Sequence, residues 1–439
     1  MDRTGLASQP CAPSFSELAR TFARIGVLSF GGAAGQIAMM HRIVVEEKGW
    51  LDERRYLHAL NYCMLLPGPE AQQLATYIGW ATHGVRGGVT AGVLFVLPGA
   101  ALMLGLSLLY VAGAGTVLVE GVFLGVKAAV VALVAQALLR IAGRGLRAPA
   151  LRALAAAAFA AILLLDAPFP LIVLGAAVAG AALGLGGPPA GDGAVAGVGA
   201  AARRGAFIAA LWCLAAWWAP IAVAALLLGG GHVVVEIGLF FSKLAVLAFG
   251  GAYAVLAWLA QAAVANGWVT GPEMIDGLGL AETTPGPTIL VNQFVAFLAA
   301  LRAPGALDPW LSATLGAAMA TWATFAPSFL WIFAGAPFVE ALRRSRRLAG
   351  ALAGVTAAVV GVIGFVALWF AMNVLFAEVV QVSAGPFRWW SVAPGSLDPA
   401  AAALVAAAML LVFRLRRGVT ATVAMVAATG VTMRLVLGG

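Results

Sequence analysis

The sequence predicts an all-α polytopic membrane protein, built from two inverted-topology repeats whose helices are interrupted or re-entrant at Pro-Gly-Pro tripeptides. Three observations carry this. Of 439 residues, 62% are hydrophobic and only 10% charged, against about 45–50% and about 25% in soluble domains. The apolar runs reach the ~20 residues a spanning helix needs. Four sequence stretches recur in the same order in the two halves.

The apolar segments run at 18–40, 56–80, 88–112, 116–141, 152–165 and 168–187. A Gly/Ala-rich linker, 186–205, follows, and a Trp-rich segment, 206–228, stands alone. Further segments lie at 233–260, 274–300, 308–336, 349–377, 400–413 and 418–437. The two short ones, 152–165 and 400–413, read as tilted pieces or as half of a helical hairpin. The expected division is a first repeat over 1–188, a connecting region with one span over 189–231, and a second repeat over 232–439. No alternating short-strand pattern suggests a β-barrel. The first twenty residues lack an apolar signal core, so no cleavage is expected. Cys11, Cys63 and Cys213 show no metal or redox spacing, and no cofactor is expected. The net charge of +8 resides in Arg residues at the ends of apolar runs, which reads as topology signalling and not as nucleic-acid binding.

The repeat is explicit. "FARIGVLSFGG" (22–32) aligns with "FSKLAVLAFGG" (241–251), six of eleven positions being identical. "KGWL" (48–51) aligns with "NGWV" (266–269), the tripeptide at Pro67 with that at Pro285, and "GVKAAVV" (125–131) with "GVTAAVV" (354–360). Basic loops of one half face charge-poor loops of the other. The link 142–152 holds Arg144, Arg147 and Arg152, its counterpart 378–398 only Arg388; "EALRRSRRLAG" holds four Arg where 112–116 holds none. Since basic loops stay cytoplasmic, the halves are expected to be inverted, with 206–228 as the span that flips the second. Eleven to thirteen membrane segments follow. Broken helices at 56–80 and 274–300 give thirteen and an inner N-terminus; re-entrant ones give eleven and an outer one.

The breaks are the candidate site. Pro67, Gly68 and Pro69, and Pro285, Gly286 and Pro287, cannot lie inside a regular helix. Irregular backbone at membrane depth must face protein or a water-filled cavity. The helices restarting after each break offer free N–H groups and a partial positive charge, which suit an anion. Gly31 and Gly32, and Gly250 and Gly251, allow close backbone approach. Arg24, Lys243 and Lys127 are intramembrane cations, which need a partner or a role. For each there is a plainer reading: snorkelling for Arg24 and Lys243, a structural acid beside Lys127. Gln72, Thr284 and Asn292 add polar groups beside the breaks. Glu70 and Glu282 are the candidate coupling carboxylates. Inverted repeats with broken helices point to a secondary transporter with a site near the midplane.

The stretches "FGGAAGQIAMM…KGWLDERRYLHALNYCMLLPGPEAQQLATYIGW…HGVRGGVTAGVLFVLPG" and "FGGAYAVL…NGWVTGPEMIDGLGLAETTPGPTILVNQFVAFLAA" resemble the chromate ion transporter family in its long, two-domain form. The resemblance covers nearly the whole chain. It departs at Ala33, Ala34 and Ala257, where relatives carry proline. The resemblance implies export of chromate across the bacterial inner membrane and resistance to it, with sulfate, an isosteric oxyanion, as a possible further substrate. Expected partners are the oxyanion and the lipid bilayer; a homodimer is compatible with the sequence. The alternatives are proton-coupled import of sulfate or another oxyanion by the same kind of machine, and, in a different class, a membrane-embedded enzyme or an assembly subunit. The scattered His residues offer an enzyme no paired constellation.

Overall fold

A computed structural model describes residues 13–30, 32–113, 115–185, 200–249, 252–335, 346–385 and 387–437. The described residues are all-α apart from one antiparallel pair, β1 (Val379–Ala384) and β2 (Phe387–Val392). It is a multi-pass membrane protein: among the described residues six helices are long and apolar enough to cross a bilayer.

Each half opens with two helical hairpins. In the first half, α1 (Phe15–Leu28) leads through Ser29–Phe30 into α2 (Gly32–His41), which runs on as a π-helical turn, Arg42–Glu47. The limbs are antiparallel, because Lys48 at the end of one pairs with Glu17 at the start of the other, 2.6 Å apart. Then α3 (Glu53–Cys63) leads through the first Pro-Gly-Pro into α4 (Glu70–Ala112). The latter is two helices, since His83 and Gly84 depart from helical geometry. The short arm, 70–82, folds back on α3, with the Tyr62 and Tyr77 rings 6.3 Å apart. The long arm, 85–112, turns back on the short one, so that Gly88 and Gly92 lie against Thr76.

The second half repeats this. There α9 (Val233–Leu247) and α10 (Ala252–Ala265) pair through Phe240 and Trp258. In turn α11 (Gly271–Thr283) and α12 (Val291–Arg302) pair through Glu273 and Arg302, 2.5 Å apart. The equivalent α3 and α11 start on equivalent caps: Asp52 accepts the Arg55 N–H and Thr270 the Glu273 N–H. Counting the π-helical turn after α2, these limbs hold 11 to 16 residues. At about 1.5 Å per residue they are too short for a ~30 Å hydrocarbon core, so all four hairpins are re-entrant. This corrects two expectations. The continuous apolar runs of 18–40 and 233–260 predict crossings. The bends at Ser29 and Ala248, with Gly32 at φ +70°, divide each into two half-depth limbs. The N-terminus therefore need not move outward when the Pro-Gly-Pro segments are re-entrant.

The remaining helices follow: the long arm of α4, α5 (Val117–Gly145), α6 (Pro149–Leu165), α7 (Phe169–Ala182) and α8 (Ala200–Leu228), then α13 (Pro309–Gly335), α14 (Arg346–Leu375), α15 (Pro399–Met409, extended by the π-helical turn Leu410–Arg414) and α16 (Val419–Leu437); α6, α7 and α15 are shorter than the six long enough to cross. Their packing is exchanged between halves. First-half α5 lies on second-half α15 and α16, while second-half α14 lies on first-half α6 and α7. Small residues make the approach close. Gly121 and Gly125 touch the α16 backbone at Val431 and Val426, and Gly354 and Gly361 touch Ala176 and Ala155. Gly125 and Gly354 open the two aligned "GVxAAVV" stretches. Asp166, after α6, accepts a hydrogen bond from Gln261 and pairs with Arg388 on β2 at 2.8 Å.

Candidate functional site

The hairpin tips meet in crossed pairs. After α1 and α9 the backbone makes the same narrow turn: Phe30 N–H donates to Leu28 O and Phe249 N–H to Leu247 O, both at 2.9 Å. The residues at the bend match, Ser29 at φ −76°, ψ 66° and Ala248 at φ −79°, ψ 59°, the inverse γ-turn conformation. Their carbonyls are thereby turned out of the helix. Gly286 N–H, in the second half, donates to Ser29 O at 2.8 Å; Gly68 N–H, in the first, donates to Ala248 O at 2.9 Å. Each Pro-Gly-Pro is thus tied to the FGG bend of the other half. Both glycines need left-handed backbone, Gly68 at φ +112° and Gly286 at φ +105°.

The crossing helices support the tips at equivalent points. Gly99, next to Pro98 near the middle of the long arm of α4, lies against Pro285 and Gly286; Ser328, next to Pro327 in α13, lies against Gly68. The side chains of the two junctions differ. Gln36 donates to Gly286 O at 2.6 Å and to Ser29 O at 3.3 Å, whereas the equivalent position holds Val255. Gln73 donates to Pro67 O at 2.7 Å.

Around the tips lies a set of buried polar groups. Gln72, Gln73, Thr76, Thr284, Thr288, Asn292, Gln293, Thr324 and Ser328 are all buried. Asn292 donates to Thr324 Oγ1 at 3.0 Å. Gln36 Oε1, Gln72 Oε1, Gln73 Oε1, Asn292 Oδ1 and Ser328 Oγ find no hydrogen-bonding partner. Buried polar atoms rarely stay so; the four amide oxygens are acceptors, and the Ser328 hydroxyl is free to donate to an oxyanion. The N-termini of the short arm of α4 and of the Thr288–Leu290 turn begin at the breaks. Thr288 Oγ1 stands 4.0 Å from where a methyl on Gly32 would be. A cleft of about 450 Å³ between the long arm of α4 and α13 has Gln72 and Gln293 in its lining.

The expected residues divide into groups. The tips bring together Gly32, Pro67, Gly68, Pro69, Pro285, Gly286 and Pro287, with Gln72, Thr284 and Asn292 close along the chain; the tripeptides are buried. Gly31, Gly250 and Gly251 lie outside the described residues. Glu70, half-buried, is the first residue of α4, and Glu282 is buried near the end of α11. Arg24 and Lys243 lie five residues before Ser29 and Ala248; both are exposed and make no ion pair among the described residues. Lys127 stands 3.2 Å from Asp276. Sequence reasoning passed over Asp276, although an acid inside "MIDGLGLAE" is itself a signal. It also passed over Gln36 and Gly99, whose roles exist only once the halves cross. Among the described residues no cluster of His, Cys, Asp and Glu is arranged to hold a metal ion.

Comparison with known proteins agrees with this architecture. The family described as "Chromate transporter" matches residues 16–181 and 235–433, one stretch in each half. The chain is similar to a "Chromate transport protein" of Pseudomonas aeruginosa, 34% identical over 371 residues that cover 81% of this chain and 80% of the relative. It is 28% identical to one of Cupriavidus metallidurans over 82% of this chain and 84% of that protein. It is 27% identical to a "Probable chromate transport protein" of Synechococcus elongatus over 80% and 83%. No solved structure matches. Two matched stretches that coincide with the two hairpin-bearing halves, and a 34% identical relative covered over most of its length, place this chain in the chromate transporter family.

Proposed function

We propose that the protein is a secondary transporter that exports chromate across the bacterial inner membrane and so gives resistance to it. The observation that carries this is the crossed meeting of the tips. It brings two helix N-termini, two backbone bends and the buried Ser328 hydroxyl, which has no hydrogen-bonding partner, toward one region halfway along the crossing helices. Helix N-termini each carry about half a positive charge and free N–H groups, a fitting receptor for a tetrahedral dianion. Arg24 and Lys243 raise the potential along the approach on equivalent limbs. Glu70 and Glu282 are the carboxylates nearest the tips along the chain, and they adjust or couple transport.

The same contacts support inversion of the halves. Tips that meet end to end enter from opposite sides. With the hairpins re-entrant, a cytoplasmic N-terminus leaves the links after α5, before α8, before α14 and after α15 in the cytoplasm; these hold Arg147, Arg203, Arg346 and Arg414. Asp166 and Arg388 then share the periplasmic face, as their ion pair requires. Moving two negative charges outward across ~100 mV, inside negative, releases about 4.6 kcal/mol, enough for a gradient of roughly 2000-fold. Export needs no proton coupling.

The test is labelled chromate flux in everted vesicles under an imposed potential, with and without excess sulfate. Accumulation is expected with the wild-type protein, and at least a tenfold loss in the Pro67→Ala/Pro69→Ala variant. Absence of accumulation, with sulfate entering right-side-out vesicles under a proton gradient, would establish import instead.

A further inference from the structure

Lys127 sits in α5 on a turn that faces the second half. Its ammonium is 3.2 Å from Asp276 Oδ1, and the Asp276 side chain is only 6% exposed. Tyr110, near the end of the long arm of α4, donates its hydroxyl to Asp276 Oδ2 at 3.0 Å. Its ring is held edge-on by Phe123 of α5 and Phe294 of α12, at 5.0 and 5.1 Å. Two glycines allow the fit: Gly279 lies against Val126, and Gly277 against Phe294. Asp276 stands on the Pro-Gly-Pro hairpin of the second half, nine residues before Pro285; Tyr110 and Lys127 belong to the first half. The aligned positions of the other repeat hold His58 and Thr356, so the Lys–Asp pair itself is not repeated. The other charged groups near it are Glu273 on α11 and Arg302 on α12, which satisfy each other; α16 contributes only Arg434, about two turns beyond Val426.

We propose that Lys127, Asp276 and Tyr110 form a latch that fixes the second-half Pro-Gly-Pro hairpin against the first half, so that Lys127 is a positioning residue and not an anion ligand. An oxyanion that took Lys127 would leave a buried carboxylate uncompensated, a large cost in a low-dielectric setting. Asp276 already supplies the negative charge that Lys127 requires. The latch holds the second-half junction in register.

This rests on the transport reading, and the experiment separates the two. Chromate flux is measured against concentration in everted vesicles for full-length Lys127→Gln, Asp276→Asn, Tyr110→Phe and the exchanged Lys127→Asp/Asp276→Lys. The latch predicts that Lys127→Gln and Asp276→Asn each lower the maximal rate tenfold or more, with the half-saturating concentration within twofold of wild type. Tyr110→Phe lowers the rate two- to fivefold. The exchanged pair recovers at least a third of the wild-type rate. A tenfold rise in half-saturating concentration in Lys127→Gln, with no recovery in the exchanged pair, would overturn the latch and make Lys127 a ligand. If the neutral variants do not accumulate, Lys127→Arg decides: an unchanged half-saturating concentration supports the latch, and a threefold or larger rise overturns it. If the wild-type protein moves no chromate, the transport reading fails by itself. The latch is then judged by the melting midpoint in detergent: restoration by the exchanged pair of what each single change loses supports it, and no restoration overturns it.

Discussion

Gly286→Val and Gly68→Val are expected to abolish most chromate flux, at least tenfold each, while the protein still reaches the membrane. Both positions need φ above +100°, which costs a branched side chain about 1–3 kcal/mol. The space is closed as well. A methyl at Gly286 would stand 3.2 Å from Leu290 Cδ1 and 3.3 Å from Gly99 Cα, and one at Gly68 would stand 3.0 Å from Gln73 Nε2. The tip must shift, and with it the N–H that holds the other half's carbonyl. Gly49→Ala is the control. Its φ is +61°, yet nothing lies within 4 Å. It should lower stability by about 1 kcal/mol and leave flux within twofold. Equal losses in Gly49→Ala and Gly286→Val would show that backbone strain, not the crossed tips, governs the effect.

Gly125→Leu and Gly354→Leu should have the largest effect on the fold. A side chain at Gly125 would run into the α16 backbone at Val426 and Ala427, and one at Gly354 into α7 at Ala176 and Gly180. Overpacking of this kind costs about 1–3 kcal/mol where side chains yield, and more where the obstacle is backbone. The expected result is loss of a monodisperse species in detergent, or a melting midpoint lower by several degrees. Gly143→Leu and Gly175→Leu, with nothing within 4 Å, should be silent in the same assay. An unchanged midpoint for both Gly125→Leu and Gly354→Leu would refute the exchanged packing of α5 and α14.

The sequence was legible wherever a pattern is local. Composition identified the membrane, proline and glycine marked the breaks, and repetition marked the halves. The depth of the hairpins was not legible. An apolar run such as 18–40 looks the same to a hydropathy window whether it crosses or turns back; only the Lys48–Glu17 contact at its mouth decides. The partner of each tip was equally hidden. Ser29 O and Gly286 N–H are backbone groups, and no side-chain pattern announces a backbone bond between halves. Lys127 was visible as an intramembrane charge, and its pairing with an acid was an open alternative, but the acid lay in the other repeat. The two-stranded β1–β2 pair had no forewarning, since it occupies a link too short to disturb an all-α composition.

The exchanged helices also set a schedule for biogenesis. When α5 leaves the ribosome, the small-residue face that will receive α16 has no partner until the chain is about 290 residues longer. At common rates of synthesis that is on the order of 15–60 s. During that interval Gly121 and Gly125 face lipid or a chaperone, and α6 and α7 likewise wait for α14. A nascent chain stopped after α8 is thus an obligate intermediate: it is inserted in the membrane but has no completed core, and it should be a preferred substrate for membrane quality-control proteases.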